Sequence, residues 1–126
     1  MRKLATLSLI LSLMMMATNA AQARESHKNP PQYIKKQLVA TFKNQWKLAS
    51  RVAYCESGYN LRATNGSSTG LFQIDAPGGG RTLNGKWYSR NYLFTLEGNI
   101  SAAKILWLSS GKSFYPHWRW SYHCWG

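Results

Sequence analysis

One acidic side chain stands where a proton donor could act. Glu56 lies in the stretch RVAYCESGYNLRATNGSSTGLFQI, residues 51–74, and the chain has only four acidic side chains against sixteen Lys and Arg. The pattern before it predicts that Glu56 ends a helix, where the partial negative charge of the helix terminus disfavours a carboxylate. Val52, Ala53 and Tyr54 add apolar surroundings. Both influences penalise ionisation, so we expect the pKa of Glu56 to lie above the usual ~4.3.

A carboxylic acid that stays protonated near neutral pH can donate its proton to the leaving oxygen of a glycosidic bond. Hydrolysis of such bonds normally uses a second carboxylate. Asp75 is the other acid that could reach the same cleft, although an Asp before Pro77 also suits a turn. Glu97 is better placed to complement a helix N-terminus, and Glu25 lies in the leader. The alternative for Glu56 is a surface carboxylate that pairs with one of the many lysines.

The N-terminus has the pattern of a secretory signal peptide. A basic start at Arg2 and Lys3 precedes an apolar run, residues 4–17, and the small-residue ending Ala-Gln-Ala at residues 21–23. The run is shorter than the roughly 20 apolar residues of a membrane-spanning helix. We therefore expect cleavage after Ala23, residues 1–23 being the signal peptide, and export to the periplasm or the cell wall.

The formal charge of +12 favours an anionic partner, which could be nucleic acid, lipid head groups or an anionic wall polymer. Export favours wall or membrane over nucleic acid. The two cysteines, Cys55 and Cys124, predict one disulfide in an oxidising compartment. A metal site formed with His117 and His123 is the alternative, but the spacing fits no zinc template. We expect no metal and no cofactor.

The rest of the chain reads as a polar leader, residues 24–31, and one domain, residues 32–126. Apolar residues recur every three to four positions from Ile34 to Ala53, which predicts an amphipathic helix with room for one break; Gly58 follows its end. A second helix is expected around residues 100–108, after Asn99 and before Gly111.

Between these helices the sequence predicts a small insert. Asn65-Gly66 indicates a turn, GLFQI at residues 70–74 a short, partly buried strand or extended segment, and DAPGGG at residues 75–80 a loop. The tail from Phe114 onward is rich in aromatic residues. We expect core packing for three tryptophans, with sugar stacking as the alternative: Trp118, Trp120 and Trp125. The fold class is therefore α+β, mainly α.

Three elements in order resemble the lysozyme-like lytic transglycosylases of the soluble lytic transglycosylase family. They are ESGYN, GSSTGLFQI and EGNISAAKIL, and the ending CWG is similar to small exported members of this group. The resemblance implies a lysozyme-like fold, with helices around a cleft and a small loop-and-strand insert. It also implies that Glu56 is the catalytic acid, and it assigns cleft-lining or substrate-binding roles to further residues: Ser57, Gly70, Leu71, Phe72, Gln73 and Ile74.

The chain departs from the family in two respects. It has no A-Y-N-x-G element, whose tyrosine supports the catalytic Glu in many members. Tyr115 or Tyr122 could supply that hydroxyl, and we also expect Tyr115 and Trp118 to contact substrate. The loop at residues 75–80 also differs from the usual continuation.

The resemblance implies cleavage of glycan strands in peptidoglycan by a monomer, with 1,6-anhydro ends as product. The alternatives are lysozyme-type hydrolysis assisted by Asp75, a non-catalytic cationic protein that binds the cell wall, and a cationic protein that acts on membranes. Service to an envelope-spanning secretion, conjugation or pilus system is a further implication of the resemblance.

Overall fold

The computed structural model describes residues 29–126. The proposed signal peptide and most of the leader therefore lie outside the described residues. Within them, no helix is both long enough and apolar enough to cross a membrane. The described part is a small α+β domain, 59% helical, with two small antiparallel sheets. The coarse fold class predicted from the sequence is confirmed.

The first helical region contains the predicted break. Helix α1 spans Gln32–Phe42, a 3₁₀ turn covers Lys43–Gln45, and α2 spans Trp46–Ser57. The break falls at Lys43, whose φ of 53° is incompatible with a continuous right-handed helix. One face of each helix is fully buried, as the apolar spacing requires: Ile34, Leu38, Phe42, Ala49, Val52 and Ala53.

Helix α2 ends where the sequence predicts. Gly58 has φ 61° and ψ 32°, and its N–H donates to the carbonyl of Tyr54 at 2.7 Å. Such a left-handed residue ends a helix at little steric cost when it is glycine. Glu56 is therefore held in the last turn of α2.

A three-stranded antiparallel sheet follows. Strands β1 (Thr64–Asn65), β2 (Ser68–Thr69) and β3 (Ile74–Asp75) lie in the order β1-β2-β3. Thr69 lies opposite both Thr64 and Ile74. Gly66, with φ 60°, makes the predicted turn between β1 and β2.

The segment GLFQI is mainly a turn, so the prediction of a strand there is wrong except at its last residue. Gly70 and Gln73 have φ of 75° and 50°, which no strand permits. The turn carries Leu71 and Phe72 into the core, where both are fully buried. Their burial accounts for the apolar composition that suggested a strand.

The prediction of a loop at residues 75–80 is also wrong at both ends. Asp75 belongs to β3, Pro77–Gly79 forms a 3₁₀ turn, and Gly80 begins a hairpin that was not predicted. Its strands are β4 (Gly80–Leu83) and β5 (Lys86–Ser89), paired antiparallel. Asn84 and Gly85 join them with φ of 50° and 75°. An Asn-Gly pair between two strands was the signal for this hairpin.

Two helices follow the hairpin: α3 (Arg90–Leu93) and α4 (Leu96–Ser109). Helix α4 starts earlier than predicted, because the hydroxyl of Thr95 accepts from the N–H of Gly98 at 3.0 Å and caps it. Glu97 lies in its first turn, as expected for a carboxylate that complements the helix dipole. Asn99 is inside the helix rather than before it.

Asn99 joins α4 to the segments that precede it. It is fully buried, and its Nδ2 donates to the carbonyls of Thr69 at 2.9 Å and Leu93 at 2.7 Å. Its Oδ1 accepts from the N–H of Phe72 at 2.7 Å. One side chain thus satisfies three buried backbone groups that would otherwise lack partners, and it sets the path of the turn at residues 70–73.

The C-terminal tail folds against α2. It consists of α5 (Tyr115–Trp118), a 3₁₀ turn (Arg119–Ser121) and α6 (Tyr122–Trp125). The predicted disulfide is present: Cys55 and Cys124 have an S–S distance of 2.06 Å and a Cα–Cα distance of 6.0 Å. Arg51 donates to the carbonyls of Trp125 and Gly126.

Two of the three tail tryptophans belong to the core, as predicted. Trp118 and Trp125 are each 3% exposed, and Trp118 packs against Phe72 and Phe114. Trp120 does not: it is 82% exposed, and the guanidinium of Arg119 lies 5.1 Å from its ring. The prediction of core packing is wrong for Trp120 because the 3₁₀ turn points it away from the core.

Gly70→Ala should destabilise the protein by about 3 kcal/mol or more, because a Cβ would lie 2.4 Å from both the carbonyl of Leu93 and Nδ2 of Asn99. Gly66→Ala is the matched control: its φ is also positive, but a Cβ there meets nothing within 4 Å. We expect it to cost only about 1 kcal/mol. Urea denaturation measures both values, and equal losses would contradict the close approach at Gly70.

Replacement of both cysteines by alanine should lower the free energy of unfolding by about 4 kcal/mol, since Cys55 and Cys124 are 69 residues apart in sequence. The cross-link restricts the unfolded chain, so its loss makes unfolding more favourable. The wild-type protein in reductant should show a similar loss in urea denaturation. An unchanged midpoint in both samples would rule out this contribution.

Candidate functional site

The proposed site is built at the contact between α2 and the tail. Glu56 lies in the last turn of α2, and the hydroxyl of Ser121 donates to its Oε1 at 2.9 Å. The same hydroxyl lies 3.2 Å from the carbonyl of Trp118. Cys55 precedes Glu56 in the chain and is bonded to Cys124, so the disulfide holds the tail next to the carboxyl group.

The pKa of Glu56 is raised, as predicted from the sequence. Burial is the main cause, because it removes water from the ionised form, and the hydrogen bond from Ser121 opposes it by stabilising the carboxylate. Two opposing influences therefore act on the pKa of this half-buried carboxyl group, and burial is the larger. It holds its proton more tightly than an exposed Glu, and it retains a donor that supports the ionised form.

The donor to Glu56 is a serine, which the sequence did not reveal. Tyr115 and Tyr122 were the expected candidates, but their rings pack edge to face with centroids 5.1 Å apart. In residues 29–126 neither tyrosine donates a hydrogen bond to Glu56. Tyr115 is 52% exposed, so its predicted contact with substrate stays a prediction. The sequence did contain one indication of Ser121. It lies three residues before Cys124, and the disulfide joins Cys124 to Cys55, the residue next to Glu56.

Two polar site residues are used inside the protein. The hydroxyl of Ser57 donates to the carbonyl of Ala53 at 3.0 Å. The Nε2 of Gln73 donates to the carbonyls of Ala63 at 3.0 Å and Gly70 at 2.9 Å. The amide nitrogen of Gln73 thus stabilises the turn at residues 70–73, and its two bonds would have to be given up for that nitrogen to bind a ligand.

Four of the predicted substrate-binding residues have side chains in the core. Leu71 and Phe72 are fully buried, Ile74 is 1% exposed and Trp118 is 3% exposed. Nε1 of Trp118 donates to the carbonyl of Phe72 at 2.8 Å, which ties the turn to α5. The side chains of these four therefore lie in the core, and the cleft-lining or substrate-binding roles expected of them stay predictions. Gly70 is also buried, and it supports the turn as described above.

Asp75 lies in the insert. It is exposed on β3, and its Oδ1 accepts a hydrogen bond from the hydroxyl of Ser67. Across the described residues no hydrogen bond joins Asp75 to Glu56. The side chain of Asp75 thus joins β3 to Ser67, which is not the turn before Pro77 that was considered for it, and it supplies no link to the proton donor.

The histidines and cysteines do not form the alternative metal site. The cysteines are bonded to each other, so neither is available as a thiolate ligand. The imidazole Nε2 of His117 lies 3.4 Å from the hydroxyl of Ser109. Burial lowers the pKa of His117, and the positive charge of Arg81 lowers it further.

The stability of the protein relative to Glu56→Gln should decrease as the pH rises. The folded state binds the proton of Glu56 more tightly than the unfolded chain, so the stabilising effect is complete below the unfolded pKa of about 4.3. It is lost as the pH rises through the raised pKa of the folded protein. Urea denaturation of both proteins across this pH range measures their free energies of unfolding. If the free energy of the wild type rose relative to that of Glu56→Gln with increasing pH, the raised pKa would be contradicted.

Ser121→Ala should raise the pKa of Glu56 further, because the hydroxyl stabilises the ionised carboxylate. Ser113→Ala is a matched control, since the Ser113 hydroxyl interacts with the N–H of Tyr115. NMR titration of the Glu56 side-chain carboxyl carbon measures the pKa directly. A lower pKa in Ser121→Ala, or equal shifts in both variants, would contradict the role given to Ser121.

No family model, curated protein or solved structure matches the chain at the threshold applied to these comparisons. The likeness to lytic transglycosylases therefore rests on its three sequence elements, and the activity that it implies stays a prediction.

Proposed function

We propose that the protein is an exported peptidoglycan lytic transglycosylase in which Glu56 is the general acid and base. The observation that carries the proposal is the half-buried carboxyl group of Glu56, with its raised pKa and the hydrogen bond that it accepts from Ser121. A raised pKa favours the protonated form that a general acid requires. The ordered elements ESGYN, GSSTGLFQI and EGNISAAKIL favour a glycan as substrate.

The first step transfers a proton from Glu56 to the oxygen that links N-acetylmuramic acid to N-acetylglucosamine. Because Oε1 of Glu56 accepts the hydrogen bond from the Ser121 hydroxyl, Oε2 would carry the proton that is transferred. The bond between this oxygen and the anomeric carbon breaks, and positive charge develops at the muramyl ring. The acetamido group of the substrate stabilises that charge, so no protein nucleophile is needed.

The second step returns the proton to Glu56. The carboxylate accepts it from the muramyl 6-hydroxyl, whose oxygen bonds to the anomeric carbon and closes a 1,6-anhydro ring. No water is consumed, and Glu56 is restored to its starting state. The hydrogen bond from Ser121 is strongest while Glu56 is ionised, so it stabilises the intermediate state between the two steps.

The choice of transglycosylation over hydrolysis rests on the number of carboxylates. Glu97 lies in the first turn of α4, and Asp75 is engaged with Ser67 in the insert. Across the described residues no hydrogen bond joins either of these carboxylates to Glu56, whose pKa is raised by burial. Lysozyme-type hydrolysis assisted by Asp75 is the alternative, which the product assay below separates.

The electrostatics of the chain suit an anionic wall. The formal charge is +12, and among residues 29–126 only three carboxylates occur: Glu56, Asp75 and Glu97. This excess attracts an anionic polymer at long range and weakens with salt. We further propose that the protein acts as a monomer in the periplasm or cell wall, where it would open peptidoglycan for a secretion, conjugation or pilus system.

Digestion of purified peptidoglycan should give anhydro-muramyl ends with the wild-type protein and none with Glu56→Gln. We expect the activity of the variant to fall by at least about a hundredfold, the usual effect of removing a general acid. Mass spectrometry of the released muropeptides identifies the ends. Glu25→Gln, which makes the same chemical change in the leader, should retain activity and serves as the control.

Asp75→Asn separates the two mechanisms. A transglycosylase should retain most of its activity in this variant, whereas a hydrolase that uses Asp75 should lose it and release reducing ends. Absence of cleavage by the wild-type protein on walls from several bacteria would overturn the enzymatic proposal. Retained binding to those walls would then indicate a non-catalytic cationic protein that binds the wall, whereas leakage of wall-free liposomes would indicate action on membranes.

A further inference from the structure

A concave site lies between α1 and α4, away from Glu56 and Ser121, and we call it the α1–α4 cavity. Its volume is about 340 Å³, and its walls come from α1, β5, α3 and α4. Asn99 of α4 faces the turn at residues 70–73, whereas Ser101, two positions later, lines the cavity. Two positions correspond to about 200° around a helix, so the cavity and that turn occupy opposite sides of α4.

One wall of the cavity is aromatic and holds a lysine in place. The Nζ of Lys86 lies 5.0 Å from the ring centroids of both Tyr88 and Tyr92. The Tyr88 hydroxyl is 2.9 Å from the hydroxyl of Ser101, which joins the hairpin to α4. Two cation–π contacts limit the motion of the Lys86 side chain and direct its charge toward the cavity that it lines.

The rim carries separated charges of both signs. Glu97 and Lys104 line the cavity from α4, about 10 Å apart along the helix axis, and Lys86 adds a second positive charge. Within the described part of the chain, none of the three forms an ion pair. Gln37 and Thr41 of α1 add an amide and a hydroxyl on the facing wall. The cavity thus offers one carboxylate, two ammonium groups and neutral polar groups that no partner of opposite charge occupies.

We propose that the α1–α4 cavity binds a short acidic peptide that has one free amino group and two carboxylates. The amino group would pair with Glu97, and the carboxylates with Lys86 and Lys104. A simple anion such as phosphate is disfavoured, because the negative charge of the Glu97 carboxylate would repel it. The volume lies within the range of about 300–1,000 Å³ that is usual for small-molecule sites.

The length of the peptide follows from the spacing of the charges. The distance of about 10 Å along α4 corresponds to about three extended residues, each spanning about 3.3–3.6 Å. A free acidic amino acid is too short to reach both ends. A tripeptide such as alanyl-alanyl-glutamate has the required charges and length. The proposed binding does not depend on the catalytic role of Glu56.

The test is NMR titration of the ¹⁵N-labelled protein with alanyl-alanyl-glutamate, its N-acetylated form, its C-amidated form and free glutamate. Saturable shifts should appear at Lys86, Tyr92, Glu97 and Lys104 and leave Glu56 and Ser121 unaffected. We expect each blocked peptide to bind about tenfold more weakly, the effect of losing one charge-assisted hydrogen bond. Free glutamate should bind more weakly than the tripeptide.

Two variants assign the charges, and one is a control. Glu97→Gln should weaken the tripeptide about tenfold but should not weaken the N-acetylated form, which has no ammonium group to pair with Glu97 and is repelled by its carboxylate. Lys104→Gln should weaken both of these peptides. Lys36→Gln, an exposed α1 lysine outside the cavity lining, should alter neither by more than the small effect of net charge.

Absence of saturable shifts in the millimolar range would overturn the proposal. Equal binding of the free and N-acetylated tripeptides would also overturn it, and equal binding of glutamate would exclude the assigned length. Since the assay reads binding at α4, its failure would leave the proposed role of Glu56 untouched. Loss of wall cleavage in Glu56→Gln would likewise leave this cavity untouched.

Discussion

The disulfide between Cys55 and Cys124 is the constraint on which the proposed site depends. Glu56 directly follows one cysteine, and Ser121 lies three residues before the other, so a single covalent bond keeps acid and donor in reach. The tail in turn covers α2 and helps to bury the carboxyl group. Arg51 adds hydrogen bonds to the last two carbonyls of the chain. Tail docking and the raised pKa of Glu56 are therefore two consequences of one packing arrangement.

Asn99 holds the insert in place through the hydrogen bonds of its buried side chain. Its amide joins α4 to the end of β2, to α3 and to the turn at residues 70–73. That turn sends Phe72 into a cluster with Phe42 and Trp118, so a buried polar side chain determines how an aromatic core is assembled. The GLFQI element consequently supports the core through the side chains of Leu71, Phe72 and Ile74.

The surroundings of Glu56 and the α1–α4 cavity differ in how their charged groups are exposed to water. Around Glu56, burial makes ionisation costly and one neutral hydroxyl moderates the cost. At the α1–α4 cavity, the charges are exposed and of both signs, so they would select a ligand by complementarity rather than perform proton transfer. The two sites lie in different parts of the fold.

Local sequence predicted α1, α2 and most of α4, the glycine that ends α2, the turn at Gly66 and the disulfide, because apolar spacing, left-handed turns and cysteine pairing are properties of short segments or of a single pair. It also indicated the raised pKa of Glu56. It did not predict α3, α5 or α6. Tertiary structure decided the rest. GLFQI became a turn because Asn99, 27 residues from Phe72, satisfies its backbone, and Ser121 met Glu56 across 65 residues. The packing of the tail against α2 decided that Trp118 is buried and that Trp120 is exposed. The sequence alone does not distinguish the two residues, since both lie in the same aromatic-rich segment.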